Sequence, residues 1–168
     1  MLGHVDATLT LAEPAHGRIG QQRLAALHEK TDRLHLFEFW GESTSNEHEA
    51  TDKLRADRTP AIPHIWKYRD VQPCLLEAAE LIPAELSERR SIIMVNPALR
   101  PTVATTTNLF AAYRINMPHE MMPPHRHSPN AIRFGLTGDT NFTGVHGENI
   151  TFGPGDLVLT PHDTWHNH

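Results

Sequence analysis

The hydrophobic positions in the first ninety residues recur at helical spacing. Residues 21–30 form a helix-favouring run with Leu24 and Leu27 on one face. A second run follows Asp70, a residue suited to capping a helix, and Pro83 stops it. Its apolar stripe consists of Val71, Leu75, Ala78, Ala79 and Ile82. The pattern predicts two amphipathic helices in this part of the chain.

Beyond residue 90 the pattern changes to short apolar runs separated by turn residues. The predicted strands cover residues 91–95, 105–116, 130–137, 140–145, 150–152 and 157–160. Met-Pro-Pro, Thr-Gly-Asp and Gly-Pro-Gly-Asp are among the turn-forming groups between them. Several short strands separated in this way predict an antiparallel sandwich or barrel. We therefore expect a helical arm over residues 1–90 and a β domain over residues 91–168.

Composition narrows the class of protein. The net charge of -5 comes without a basic stripe, which argues against a nucleic-acid partner. No apolar stretch approaches the roughly 20 residues that a membrane span needs, so no membrane partner is expected. The start of the chain shows no secretory signal pattern, and the lone Cys74 permits no intrachain disulfide. These features favour a cytoplasmic protein.

Histidine spacing supplies the candidate chemistry. The chain holds 13 histidines, and His125 and His127 flank a single arginine after a proline turn. On a strand, residues two apart point to the same face, so both imidazoles can bind one divalent ion. An isolated pair of this kind is equally consistent with two surface histidines. The surrounding sequence is needed to distinguish a metal-binding pair from surface residues.

Arg133 is predicted to share the interior face with His127. Counting by two from His127 passes through Pro129 and Ala131 and reaches Arg133. A guanidinium inside a small barrel is costly unless a carboxylate pairs with it, and this strand contains no acidic residue. The favoured explanation for an arginine at this position is that it binds a substrate carboxylate through two hydrogen bonds. The alternative is that it pairs with a distant Asp or Glu.

Two stretches of the predicted β domain resemble the two sequence motifs of the cupin superfamily. His125-Arg-His127 resembles the first motif, and the stretch from Gly155 to His166 resembles the second, which supplies a later histidine. The positions where many cupins carry a glutamate ligand are Ala131 and Ile132 here. The resemblance therefore implies a three-histidine site that keeps the full charge of its metal and attracts an anionic, chelating substrate.

The stretch from Pro123 to Phe134 is similar to the first barrel of the gentisate 1,2-dioxygenase family, which includes salicylate and 1-hydroxy-2-naphthoate dioxygenases. The similarity extends through residues 63–68, 88–97, 108–112 and 164–168. It implies a mainly β fold, a cupin (double-stranded β-helix, jelly-roll type barrel), preceded by the helical arm. The family's enzymes have two cupins and use Fe(2+) and O2 to open an aromatic ring beside its carboxylate.

Roles follow from the resemblance residue by residue. His125, His127 and His166 match the metal ligands, and Arg133 and Arg89 match positions that contact the substrate. His168 matches a histidine that assists proton transfer, a catalytic role. The implied reaction converts gentisate to maleylpyruvate in the catabolism of aromatic compounds.

Several expectations and alternatives remain at this stage. Because the chain ends two residues after His166, we expect an incomplete first barrel, an absent second cupin and a homo-oligomer that buries the open edge. Three imidazoles also suit manganese, nickel or zinc. A metal-binding cupin isomerase or epimerase, and a non-catalytic cupin binding module or fragment, are the alternative functions.

Overall fold

The computed structural model describes residues 17–40, 60–83 and 90–168. Its elements are, in chain order, α1 (Arg18–Arg33), β1 (Leu36–Glu38), α2 (Tyr68–Leu81), β2 (Ser91–Met94), a 3-10 turn (Pro97–Leu99), β3 (Ala112–Arg114), β4 (Ala131–Phe134), β5 (Asn141–Val145), β6 (Glu148–Phe152), β7 (Leu157–Thr160) and β8 (His166–Asn167). The chain divides into two compact units between Pro118 and His119. No helix in the described ranges has both the length and the apolar character of a membrane span.

The two predicted helices form much of the core of the first unit. Val71, Leu75, Ala78 and Ile82 of the predicted stripe are buried, and Leu27 of α1 packs in the same cluster. Burial of one continuous apolar stripe is the main source of stability for a helix of this length.

The predicted cap of the second helix is wrong. Helix α2 begins at Tyr68, earlier than expected, and its N-cap Lys67 makes no side-chain cap. Asp70 lies in the first helical turn instead. An acidic residue there still interacts favourably with the positive end of the helix dipole, which explains why the sequence signal was present.

An antiparallel sheet of order β1-β2-β3 completes the first unit. Strand β1 was not expected, because its three residues are too few to show a period. The strand predicted over 105–116 is reduced to β3, since Thr105 uses its hydroxyl to hold a turn by contacting Met94 O and Ala111 N, each at 2.8 Å. Strands β2 and β3, which we expected in the β domain that begins at residue 91, lie in the first unit. The domain boundary at residue 90 stays a prediction.

The second unit consists of two small antiparallel sheets, β4-β7 and β6-β5-β8. Strands β4, β5 and β7 lie within the predicted ranges, and β6 starts two residues early. The early start follows from a tight hairpin in which His146 and Gly147 both have positive φ, 52° and 86°. Two such residues are typical of the turn whose twist matches that of the flanking strands.

Candidate metal centre

Three of the predicted site histidines are brought together by backbone pairing within the second unit. The backbone N–H of His125 donates to His166 O, and that of His166 donates to His125 O, each at 2.9 Å. Strand β5 holds the other side of β8 through the pair Val145 and His166. The carbonyl of His127 accepts from Asp163 N at 2.9 Å. Residues 41 positions apart in the chain are therefore held side by side.

The three imidazoles form a compact cluster. The ring centroid of His166 lies 4.4 Å from that of His125 and 4.8 Å from that of His127. The His125 and His127 centroids are 6.0 Å apart. His166 is thus the central member, and it is also the most deeply buried, with 2% of its surface exposed.

Each of these rings is held in the same tautomer by a backbone carbonyl two residues away. The Nδ1 atoms of His125, His127 and His166 lie 3.1, 2.8 and 2.7 Å from the carbonyls of Pro123, Pro129 and Thr164 respectively. A carbonyl only accepts, so in the neutral ring each Nδ1 carries the proton and each Nε2 keeps its lone pair. This is the arrangement by which proteins orient imidazole ligands toward a metal ion.

The donor set fits a metal ion. Nε2 of His166 is buried and has no hydrogen-bond partner among the residues that the structure describes. An orphaned acceptor of this kind is costly in a folded protein unless a ligand satisfies it. Neutral imidazole nitrogens are ligands for iron, zinc, copper and nickel.

His168 lies next to this cluster but is engaged differently. Its Nε2 is 3.0 Å from the guanidinium NH2 of Arg133, which can only donate. Nε2 therefore accepts, so the ring proton sits on Nδ1, which donates to the Thr143 hydroxyl at 3.2 Å. Both ring nitrogens of His168 are thus occupied by side chains.

Two residues compete as the third metal ligand: the distances between ring nitrogens favour His168, and the hydrogen bonding of the rings favours His127. Ring nitrogens of His125, His166 and His168 lie within 4.8 Å of one another, a grouping that leaves out His127. Ligation by His168, however, would break its contact with either Arg133 or Thr143. His127, by contrast, uses Nδ1 for the Pro129 carbonyl, so its Nε2 can bind an ion without breaking that contact. We therefore retain His127 as the third candidate ligand.

Arg133 is turned toward the interior, as the strand parity predicts. Its guanidinium NH1 donates to the Thr160 hydroxyl at 2.7 Å, in addition to the contact with His168. No carboxylate within the described ranges forms an ion pair with it. Burial lowers the pKa of this guanidinium below its ordinary value, although an arginine still stays protonated.

The site contains two threonines that we did not predict from the sequence. Thr143 and Thr160 are fully buried and contact His168 and Arg133. The sequence signal for these two threonines is weak: each occupies a position of a predicted strand whose side chain points to the interior. Arg89 lies outside the described residues.

Burial lowers the pKa of the His166 imidazole below its ordinary value of 6.5. The hydrogen bond to Thr164 opposes this shift, while His125, Arg133 and His127 add to it electrostatically. The metal-free fold therefore favours the neutral form of this ring. A neutral ring is the form that binds a metal.

In the metal-free protein, we expect the His166 ring to titrate at lower pH than in the urea-unfolded chain. The unfolded chain then binds the additional proton, so the contribution of His166 to the free energy of unfolding falls as the pH drops below about 6.5 and is constant well above it. NMR of the ring carbon protons measures both midpoints. A higher midpoint in the folded protein would contradict the role of burial.

The comparisons with known proteins agree with this architecture. Residues 114–168 match the family model described as a cupin domain. The chain is 42% identical over 106 residues to gentisate 1,2 dioxygenase 1 of Aquipseudomonas alcaligenes, covering 63% of this chain and 30% of the relative. It is 34% identical over 151 residues to the 5-aminosalicylate 1,2-dioxygenase of a Comamonas species, covering 88% of this chain and 39% of the relative.

Solved structures give the same result. A salicylate 1,2-dioxygenase from Pseudaminobacter salicylatoxidans superimposes with a TM-score of 0.62 at 26% identity, covering 76% of this chain and 42% of that chain. A structure of that enzyme as its adduct with gentisate gives a TM-score of 0.61 at 26% identity, covering 76% and 40%. The predicted cupin fold and the resemblance to these ring-cleaving dioxygenases are confirmed. The matched region spans 30% and 39%, respectively, of the length of the two curated relatives given above.

Proposed function

We propose that this chain, a relative of the gentisate 1,2-dioxygenases, forms the iron(II) site of a ring-cleaving dioxygenase. The substrate is a hydroxylated aromatic carboxylate, gentisate in the first instance, and O2 is the second substrate. The ring bond between the carboxylate-bearing carbon and the adjacent hydroxylated carbon breaks, and both oxygen atoms enter maleylpyruvate. The observation that carries this proposal is a set of three pre-oriented imidazoles beside a partly buried arginine that forms no ion pair with any carboxylate in the described ranges.

His125, His127 and His166 would hold the iron through their Nε2 atoms. When bound, iron(II) supplies a Lewis acid for the substrate hydroxyl and the electron-transfer chemistry that O2 requires. The three ligands are neutral, so the site keeps its double positive charge and favours an anionic chelating substrate. The residues themselves contribute orientation and charge.

Arg133 would bind the substrate carboxylate. A guanidinium has five N–H donors, and the contacts to Thr160 and His168 use two of them. The remaining donors can form charge-assisted hydrogen bonds with a carboxylate, which are about twice as strong as neutral ones. A carboxylate would also compensate the partly buried positive charge, whose desolvation lowers the pKa of Arg133.

His168 would move a proton on or off the substrate hydroxyl. Its Nε2 lone pair accepts from the Arg133 guanidinium at 3.0 Å, and a carboxylate bound to Arg133 would replace this contact and release the lone pair. A carboxylate held by Arg133 therefore brings an adjacent ring hydroxyl close to this nitrogen. Arg89 stays a predicted substrate contact, and the homo-oligomeric assembly and cytoplasmic location likewise stay predictions.

Anaerobic reconstitution of the purified chain with iron(II) tests the function. With gentisate and oxygen added, we expect oxygen uptake and ring-opened product in a one-to-one ratio, followed by an oxygen electrode and absorbance. His127→Ala should abolish both signals, whereas His119→Ala, which changes an exposed histidine outside the predicted ligand set, should leave them unchanged. Bound iron without turnover of gentisate, salicylate or 5-aminosalicylate would contradict the proposed activity of this chain.

A further inference from the structure

We propose that the buried hydroxyls of Thr143 and Thr160 are positioning groups that hold His168 and Arg133 in one tautomer and one orientation. This inference rests on the proposed function, because it concerns how the substrate-binding pair is prepared. Thr143 fixes His168 from one end, and Thr160 fixes Arg133 from the other. The four side chains form one hydrogen-bonded row from Thr160 to Thr143.

Strand register explains how this row arises. In the β5-β8 pairing, Gly144 lies opposite Asn167, so Thr143 faces the position of His168 one step further along. In the β4-β7 pairing, Arg133 lies opposite Val158, and Thr160 is its diagonal neighbour on the same face. Each threonine thus comes from the strand next to the residue that it holds. Both are fully buried, so no water competes for their hydroxyl groups.

The direction of each hydrogen bond follows from Arg133, which can only donate. Its NH2 donates to His168 Nε2 at 3.0 Å, and its NH1 donates to Thr160 Oγ1 at 2.7 Å. The proton of the neutral His168 ring is then on Nδ1, and Thr143 Oγ1 accepts it at 3.2 Å. The same tautomer leaves the Nε2 lone pair facing the substrate-binding arginine, where a proton acceptor is required.

Loss of the Thr143 hydroxyl has a specific consequence. The Nδ1–H group of His168 would be left buried without an acceptor, which is costly. The alternative tautomer would place a proton on Nε2 against the donating guanidinium. The ring therefore has to turn away from Arg133. Valine has nearly the same shape as threonine, so this change removes the acceptor while preserving the packing volume.

The first test is the ring tautomer of His168 in the metal-free protein, measured by long-range nitrogen–proton NMR and assigned by its loss in His168→Asn. We expect protonated Nδ1 and unprotonated Nε2 in the wild type and in Thr143→Ser. In Thr143→Val and in the smaller Thr143→Ala, this pattern should be lost. Thr151→Val, at an exposed strand position, is the matched control. A wild-type tautomer pattern in Thr143→Val would overturn the proposal.

Kinetic measurements distinguish a positioning role of the Thr143 hydroxyl from a general loss of folding or of iron binding. In the iron-loaded protein, Thr143→Val should lower kcat about 10-fold, the effect of one neutral hydrogen bond, while iron affinity stays within about threefold. Thr143→Ser should recover most of the rate. An equal loss in the serine and valine variants would refute the role of the hydroxyl. Since the NMR measurement needs neither metal nor turnover, failure of this inference is distinguishable from failure of the proposed function.

Discussion

Replacing His127 by alanine lowers the affinity for iron(II) by more than about 100-fold, while His168→Asn changes it by less than about 10-fold. Loss of a group that only supports a metal ligand typically costs 10- to 100-fold in affinity, and loss of a ligand costs more. His127 has its Nδ1 on the Pro129 carbonyl and its Nε2 available. His168 uses both ring nitrogens for Thr143 and Arg133.

Anaerobic competition titration with a coloured chelator measures this difference directly. His125→Ala should behave like His127→Ala, and His162→Ala, an exposed histidine in the turn before β8, is the control. The opposite order, with His168→Asn the more damaging variant, would mean that the closer grouping of His125, His166 and His168 is the metal site. That result would reassign the third ligand without changing the fold.

Arg133→Ala weakens anaerobic binding of gentisate to the iron-loaded chain by about 100-fold. The variant removes a charge-assisted pair of hydrogen bonds worth about 3 kcal/mol in a partly buried site, and 1.4 kcal/mol corresponds to a factor of ten. Arg133→Lys should recover only part of the affinity, because an ammonium group cannot form the bidentate contact. Iron affinity should be nearly unchanged in both variants.

The control for this prediction lies on the neighbouring strand segment. Arg126 packs over the exposed ring of Trp165, with its guanidinium carbon 5.5 Å from the ring centroid, and so lies away from the interior. Arg126→Ala should therefore leave gentisate binding unchanged. Hydroquinone, which lacks the carboxylate, should bind wild type and Arg133→Ala equally weakly. Unaltered gentisate affinity in Arg133→Ala would remove this residue from the substrate site.

Strand β7 shows how far the sequence could predict the fold. Its bounds, Leu157–Thr160, are those that the turn residues predict. Its orientation reverses what hydrophobicity suggests, because Leu157 and Leu159 are 65% and 57% exposed while Thr160 is buried. Thr160 points to the interior because its hydroxyl accepts a hydrogen bond from Arg133. This contact depends on the pairing of β4 with β7, which the sequence alone does not reveal.

The candidate site divides in the same way. The spacing of His125 and His127 and the parity of Arg133 rest on local geometry, which a single sequence reveals. The proximity of His166 to His125 depends on pairing between segments 41 residues apart, and only the motif resemblance pointed to it. Thr143 and Thr160 were missed because a threonine on a strand ordinarily indicates nothing more than β propensity.

X-ray absorption at the iron edge of the reconstituted wild-type chain tests the central claim most directly, since it counts the imidazoles bound to the metal. We predict one iron per chain with three imidazole ligands and the remaining positions filled by water oxygen, which gentisate displaces when it is added without oxygen. Four imidazoles would place His168 on the metal and contradict the assignment of His168 and Arg133 to the substrate. Two or fewer would contradict the three-histidine site itself.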